Sequence, residues 1–248
     1  MELPSSLVSA VRDAQAVVVL TGAGISAESG IPTFRDALTG MWAKFNPDEL
    51  ATPEAFIRDP AMVSRWYDER RQKCAEAKPN AGHLALARLQ KELVQREHRF
   101  TLITQNVDRL HQAAGSNDVI ELHGTLWVWR CTHCGDERED REPFQEFPPK
   151  CRCGGARRPG VVWFGEELPA KAMSLAEAAA GNCDLFFSIG TSAVVYPAAG
   201  LAHTARLKRA KLVEINAQPT DLTSLVDWPL LGKAGEILPE LIRQTFGD

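Results

Sequence analysis

The chain has 248 residues, 44% of them hydrophobic and 24% charged, and its 28 Lys and Arg against 32 Asp and Glu leave a net charge of −4. That length supports one large domain or two unequal ones, and the balance gives no general pull toward phosphate backbones or anionic membranes. No run approaches the roughly 18 apolar residues of a membrane span, and Met1 to Ser6 carries no basic leader, so a cytoplasmic protein with no membrane contact is expected.

Leu7 to Ala14 reads as a short amphipathic helix and Ala16 to Leu20 as a buried strand that runs into a Gly22-Ala23-Gly24 turn. Residues 32 to 46 are loop-like. Thr52-Pro53-Glu54 is a helix start, with Thr at the N-cap and Pro at the first helical position. Pro60 to Ala77 is a second helix, stopped near Pro79-Asn80-Ala81-Gly82, and His83 to Arg96 a third, with Leu84, Leu86, Leu89 and Leu93 as its apolar positions. Phe100 to Thr104 and Val119 to Leu122 read as strands. Cys131 to Arg158 is polar and rich in Cys, Gly and Pro, an insert with little core of its own. The alternation resumes with a strand at Val161 to Phe164, a helix at Pro169 to Ala180 and a strand at Asp184 to Ile189. A helix at Tyr196 to Lys208, a strand at Lys211 to Ile215 and a closing helix at Ile237 to Thr245 complete it.

This order predicts an α/β fold, a doubly wound parallel, Rossmann-like sheet with a smaller inserted helical lobe, which the cysteine spacing below makes a zinc-binding one. The sheet domain would take residues 1–37, 81–123 and 161–248, and the lobe residues 38–80 and 124–160. A cleft between two such units is a natural ligand site.

Six cysteines are present, and four of them fall within 23 residues as Cys131-x2-Cys134 and Cys151-x-Cys153. Four thiolates on two tight knuckles suit tetrahedral Zn²⁺, and a closed four-cysteine shell leaves no position for a reacting water, so the site is structural. Gly135, Gly154 and Gly155 support the knuckles, and His133 is a spare ligand candidate. Arg152, Arg157 and Arg158 are too few to make this ribbon a nucleic-acid reader, and no stable nucleic-acid binding is expected.

Gly22-Ala23-Gly24-Ile25-Ser26-Ala27 after a strand has the Gly-x-Gly-x-x-Ala spacing of a dinucleotide turn at a helix start. A dehydrogenase would place an acidic residue at the end of a second strand some 20 positions on. Pro47-Asp48-Glu49-Leu50 does not end a strand, so NAD fits and ordinary hydride transfer does not. Gln105-Asn106-Val107-Asp108, Gly190-Thr191-Ser192 and Asn216-Ala217-Gln218 also follow strands, where open parallel sheets bind ligands.

Together with Thr33-Phe34-Arg35, His123-Gly124, the four cysteines and Val162-Trp163-Phe164-Gly165-Glu166, these segments resemble the sirtuins, in the family's order and over nearly the whole chain. One departure is Val107, where the family usually has Ile. The resemblance implies an NAD-dependent protein-lysine deacylase with one structural zinc. His123 would be the general base, and Asn106 and Asp108 would line the nicotinamide pocket. Gln105 would hold ribose, Phe34 would shield the reactive sugar carbon and Arg35 would lie near the phosphates. Gly22, Ala23, Gly24, Ser26, Val107, Gly190, Thr191, Ser192, Asn216, Ala217, Gln218 and Ala234 would complete the cofactor site. Val162, Trp163, Phe164 and Gly165 would pair by strand addition with an acyl-lysine protein bound as an extended peptide. A monomer is expected. The implied products are free lysine, nicotinamide and O-acyl-ADP-ribose.

Tyr67 and Arg70 are three apart and share a helix face. A phenol and a guanidinium can together bind a carboxylate, although the surrounding Arg65-Trp66-Tyr67-Asp68-Glu69-Arg70-Arg71 reads by default as a solvated charged face. The sirtuin branch that removes acidic acyl groups carries such a pair here, and Ala51 matches its small pocket residue. The resemblance therefore implies removal of succinyl and malonyl groups, with acetyl also accepted. ADP-ribosyl transfer from the same NAD, and a non-catalytic NAD- and zinc-binding module, are the competing readings.

Overall fold

The structure is a computed structural model, and it describes residues 1–32 and 50–247. Phe34, Arg35 and the first part of the predicted lobe lie outside the described residues. The chain runs through α1 (Ser5–Asp13), β1 (Ala16–Thr21), α2 (Pro53–Arg58), α3 (Pro60–Glu76), α4 (Ala81–Gln95), β2 (Arg99–Thr104), α5 (Leu110–Ala113) and β3 (Ile120–Glu121). It continues through β4 (Gly124–Cys131), β5 (Glu137–Glu139), β6 (Arg157–Val161), α6 (Ala170–Ala180), β7 (Leu185–Ile189), α7 (Gly200–Leu207), β8 (Lys211–Asn216), β9 (Trp228–Leu231) and α8 (Ala234–Phe246).

Six strands form a parallel sheet in the order β3-β2-β1-β7-β8-β9, which is the doubly wound order with its switch point between β1 and β7. The run Ala16 to Leu20 is apolar throughout because both faces are covered. Val17 and Val19 pack with Leu7, Leu86, Leu89 and Leu241 on one face. Ala16, Val18 and Leu20 pack with Ala176, Ala180, Leu201 and Ala205 on the other. A second, antiparallel sheet has the order β5-β4-β6. Its buried Leu126, Trp129 and Val161 share a cluster with Ala55, Phe56, Val63 and Tyr67 of α2 and α3, so segments far apart in sequence close one core.

The helix boundaries follow local chemistry. Thr52 Oγ1 accepts the Ala55 N–H at 3.1 Å and Asp59 Oδ1 accepts the Met62 N–H at 2.9 Å, with Pro53 and Pro60 behind those caps. Asn80 and His83 form a reciprocal capping box at the start of α4.

Several expectations are corrected. The Gly22 turn opens no α-helix; it leads into two single 3-10 turns, Ala23–Ile25 and Ala27–Ser29. Its glycines answer to a close approach across the switch point, since a Cβ on Gly24 would lie 2.7 Å from Gly190 Cα. The strand expected at Val161 to Phe164 ends at Val161, and residues 164–165 turn away. The helix expected from Tyr196 begins at Gly200, because the residue before Pro197 is held out of helical conformation. Leu84 is exposed, and the buried face of α4 is Ala85, Leu86, Leu89 and Leu93. Strand β9 is not among the expected elements; it is an edge strand, the place in a sheet that tolerates Pro229. No helix among the described residues is long and apolar enough to cross a membrane.

Candidate active site

The carboxyl ends of β1, β2, β7 and β8 bring four of the predicted segments together. Asn106 Nδ2 donates to the Gly22 carbonyl and to Ser26 Oγ, both at 3.1 Å. Ser26 Oγ donates to Asp108 Oδ2 at 2.8 Å, and Asp108 Oδ1 accepts the Leu110 N–H at 2.9 Å. Gln105 Nε2 donates to Thr191 Oγ1 at 3.0 Å, and Asn216 Nδ2 donates to the Thr191 carbonyl at 2.8 Å. Thus Gly22, Ser26, Gln105, Asn106, Asp108, Thr191 and Asn216 form one polar floor. Burial pushes the Asp108 carboxyl above the usual range, against the pull of the Leu110 N–H and the Ser26 hydroxyl.

The other predicted cofactor positions divide. Ala23 lies in the first 3-10 turn and Gly190 against Gly24. Ser192 is half-buried, whereas Ala217 and Gln218 are exposed at the end of β8. Ala234 is buried at the first turn of α8, beside Gly235, whose N–H donates to Glu28 Oε1 at 2.9 Å. Val107 is turned toward the core shared with Trp163, and its carbonyl accepts the Leu126 N–H.

His123 sits between β3 and β4. Its Nδ1 lies 3.0 Å from the Gln105 carbonyl oxygen. A carbonyl only accepts, so Nδ1 carries the proton and Nε2 is left as the basic lone pair. Burial lowers the His123 pKa, opposed in part by that carbonyl. The next residue, Gly124, has φ +68°, and a Cβ there would meet the Gly160 carbonyl oxygen, so only glycine fits the turn that aims the ring.

Behind the floor lie two histidines that sequence reasoning missed as functional candidates. His83 Nδ1 accepts the Asn80 N–H, and its Nε2 lies 3.5 Å from Ser26 Oγ. His111 Nε2 lies 2.9 Å from Thr21 Oγ1, and the two rings are 4.8 Å apart. Burial holds His83 down at about 4; burial and the neighbouring His83 hold His111 at about 3. Both folded-state values are depressed, so the stability these neutral rings contribute is complete above about pH 6.5 and drains as pH falls toward 4 and 3. Each ring is expected to cost about 2 kcal/mol by pH 5. Asp108, shifted the other way, trims the sum. Calorimetry should find Tm lower at pH 5 than at pH 7 by several degrees; an equal or higher Tm would refute the neutral pair.

The acyl-side candidates converge on α3. Tyr67 is 3% exposed, and its hydroxyl accepts the Trp163 indole N–H at 3.0 Å. Burial pushes its phenol up to about 12, against the pull of Arg70, so it stays a protonated donor. The Arg70 guanidinium lies 4.8 Å from the Trp66 ring centroid and 5.9 Å from that of Tyr67. Arg70 also lines a cavity of about 360 Å³ with Ile31, Trp66, Lys73 and Cys74.

The solvated-face reading of this helix holds for Arg65 and Glu69, which are exposed, but Tyr67, Asp68 and Arg71 are all buried. Arg71 pairs with Asp68 at 2.5 Å, donates to the Asp140 and Glu142 carbonyls, and lies 4.6 Å from the Phe144 ring centroid. It ties α3 to the cysteine-bearing segment. Ala51 is buried, and its carbonyl accepts the Phe164 N–H at 2.9 Å. Val162 N–H donates to the His123 carbonyl and Trp163 N–H to Glu166 Oε2. Three successive amide donors are therefore committed inside the chain. Trp163 is a core residue rather than a surface wall, and Gly165 is exposed in the turn beyond it. An exposed apolar run, Val194-Val195-Tyr196, follows β7 at the same end of the sheet. Its only signal in sequence was three apolar residues after the Gly-Thr-Ser turn.

The Sγ atoms of the free Cys131, Cys134, Cys151 and Cys153 lie within 4.8 Å of one another, with 3.5 to 3.7 Å between the pairs 131/153, 134/151 and 134/153. Tetrahedral Zn–S bonds of about 2.3 Å put sulfurs about 3.8 Å apart, so the four residues fit one structural zinc. Exposed His133 is outside this set; its N–H and that of Cys134 instead point at Cys131 Sγ, at 3.4 and 3.5 Å. Arg157 donates to Cys151 Sγ and pairs with Asp136, while Arg158 pairs with Glu166 at 2.5 Å. Both arginines are buried in these pairs. A Cβ on Gly155 would lie 2.9 Å from Cys131 Sγ and 2.8 Å from His133 Cβ. Gly155→Ala is expected to weaken zinc binding at least about tenfold and to lower Tm. Zinc content after dialysis against a chelator checks this; a full complement would refute it.

The family model described as the Sir2 family matches residues 22–197. The chain belongs to the Sir2 family. A Sir2 relative from Aquifex aeolicus named NAD-dependent protein deacylase is 51% identical over 94% of this chain and 97% of its own. Among solved structures, a Sir2 homologue in complex with NAD superposes with TM-score 0.91 at 44% identity, covering 98% of this chain and 94% of that one. A Sir2 protein with a p53 peptide and NAD⁺ superposes with TM-score 0.86 at 32% identity, covering 98% of each chain. The parallel sheet, the small antiparallel sheet and the cysteine cluster are thus those of a Sir2 protein.

Proposed function

We infer that this chain is an NAD-dependent protein-lysine deacylase that removes acetyl, succinyl and malonyl groups. The observation that carries the reading is His123: its Nδ1 is spent on the Gln105 carbonyl, which leaves Nε2 basic at the edge of the Asn106–Ser26–Asp108 floor. NAD, when bound, supplies the ribosyl acceptor and nicotinamide as the leaving group. The donor set suits it, since amides and hydroxyls at strand ends match ribose hydroxyls and a carboxamide. Asn106 and Asp108 would hold the carboxamide end, and Gln105, Thr191 and Asn216 the ribose side. His123 Nε2 would take a proton from a hydroxyl brought against it, which a neutral imidazole near pH 7 can do. Relatives at about half identity carry the deacylase name, which supports the same chemistry here.

The acidic-acyl selectivity rests on Tyr67 and Arg70. Both are on one face of α3, and the phenol is held as a donor beside a guanidinium. An acyl carboxylate can take both. The substrate is an extended peptide whose backbone pairs near Val162 to Gly165, using groups other than the three committed N–H donors. The chain acts as a monomer in the cytoplasm. The division into a sheet domain and a lobe, with boundaries near 37, 80, 123 and 160, is part of the same reading.

The test is mass spectrometry of one peptide carrying succinyl- or acetyl-lysine, with and without NAD. NAD-dependent loss of succinyl, with O-succinyl-ADP-ribose appearing, is the expected result. Loss of acetyl alone would refute the acidic-acyl selectivity. Gain of ADP-ribose mass on the protein target would replace deacylation with transfer, and no nicotinamide release would leave a binding module.

A further inference from the structure

The polar floor has a second layer that neither holds substrate nor fills the apolar core. Thr21 and Thr104 close β1 and β2 and are directly paired across the two strands. Their hydroxyls are bonded to each other at 2.9 Å, and Thr104 Oγ1 accepts the Asn106 N–H at 3.0 Å. Thr21 Oγ1 is also 2.9 Å from His111 Nε2. The chain His111–Thr21–Thr104–Asn106 therefore ends on the backbone of the residue whose amide side chain ties Gly22 to Ser26. All four residues are at most 8% exposed.

A wholly structural role fits this arrangement poorly. Two threonines and a histidine bury polar groups here, and His111 Nδ1 has no partner among the described residues. A polar group kept in a core at such expense commonly serves specificity or function. The arrangement has a geometric use. Residues 105 to 108 leave the sheet at the end of β2, and the Asn106 N–H bond to Thr104 fixes where that turn begins. A small tilt there moves Asn106 Nδ2 and Asp108 together.

We propose that His111 is a positioning residue for the reaction, holding the Asn106 turn in its productive geometry through the Thr21–Thr104 hydroxyl pair. This rests on the deacylase reading above, because Asn106 matters to turnover only if NAD binds on that floor. His111 is carried on α5, the short helix that follows the turn at Arg109. One segment thus supplies both the residues that face the ligand and the ring that braces them from behind.

Two variants of the same buried residue separate bracing from packing. Thr21→Val keeps the side-chain shape and removes the hydroxyl link. Thr21→Ser keeps the link and removes a methyl. Thr21→Val is expected to raise KM for NAD and to lower kcat/KM about tenfold or more, as displaced positioning groups do. Thr21→Ser should stay within about twofold of wild type, although thermal melting should find both variants less stable. His111→Phe is expected to match Thr21→Val if it folds. Wild-type kinetics for Thr21→Val, or an equal loss in Thr21→Ser, would overturn the proposal. Absence of NAD-dependent deacylation in the wild-type control would instead overturn the deacylase reading, leaving the two failures distinguishable.

Discussion

Replacing His123 by Ala is expected to lower kcat by about 10²- to 10⁴-fold, the usual worth of a positioned general base. The acyl-peptide KM should change little, since the ring is proposed to act on a proton rather than to hold the peptide. The size of the effect follows from how completely the ring is committed. With Nδ1 donating to the Gln105 carbonyl, only one tautomer is stable and Nε2 is always the acceptor. His123→Gln can hold a similar hydrogen bond but cannot take a proton at neutral pH, so it should be nearly as inactive. The pH profile gives an independent reading. Burial lowers the His123 pKa, so the neutral ring persists into mildly acid solution. The acid limb of kcat/KM should therefore fall below the ordinary histidine value of about 6.5 rather than at or above it. A variant retaining a third of wild-type kcat would remove His123 from the proposed mechanism. Melting of His123→Ala close to wild type excludes unfolding as the cause.

What could be read in the sequence depended on how local the physics was. The zinc knuckles are a matter of spacing: two residues between one cysteine pair, one between the other, and glycines where the chain must double back. The parallel sheet was legible because strands and helices alternate along the chain and Ala16 to Leu20 is too uniformly apolar for a strand with a wet face. The cap at Thr52 could likewise be found within four residues of chain, whereas Asn80, which reads as part of a helix stop, turns out to cap the helix that begins at Ala81. The Gly22 turn was misread as a helix start because the spacing of glycines does not say what they must avoid. In this chain it is the Gly190 backbone across the switch point. His83 and His111 could not be told from ordinary histidines, because their partners are Ser26 and Thr21, tens of residues away. The same holds for Arg71. Its neighbours in sequence are charged and suggest water, while apart from Asp68 its partners are the carbonyls of residues 140 and 142 and the Phe144 ring. Buried polar networks are set by tertiary contact, and no window along the chain contains them.

Arg70→Met is expected to impair desuccinylation about 30- to 5,000-fold while leaving deacetylation within about threefold. The range corresponds to losing a desolvated charged contact of about 2–5 kcal/mol. Methionine keeps an unbranched apolar stem that can still lie over Trp66, so the cavity wall survives while the charge goes. Tyr67 gives a second lever on the same pocket. Its hydroxyl accepts the Trp163 indole N–H, which fixes the direction in which its own proton can be offered. With the phenol pushed up to about 12 by burial, that proton is present at every working pH. Tyr67→Phe should therefore cost desuccinylation less than Arg70→Met, because it removes a neutral hydrogen bond rather than the charge pairing. It should also destabilise the fold by about 1–3 kcal/mol, since the buried Trp163 N–H loses its acceptor. Salt provides a further contrast. An exposed cation would lose its advantage for succinyl-lysine as ionic strength rises, whereas a half-buried one beside two aromatic rings is screened less. The succinyl preference should persist at high salt in the wild type. Steady-state kinetics on matched succinyl and acetyl peptides decide the matter. Equal losses on both substrates in Arg70→Met would mean that Arg70 braces α3 rather than reads the acyl carboxylate.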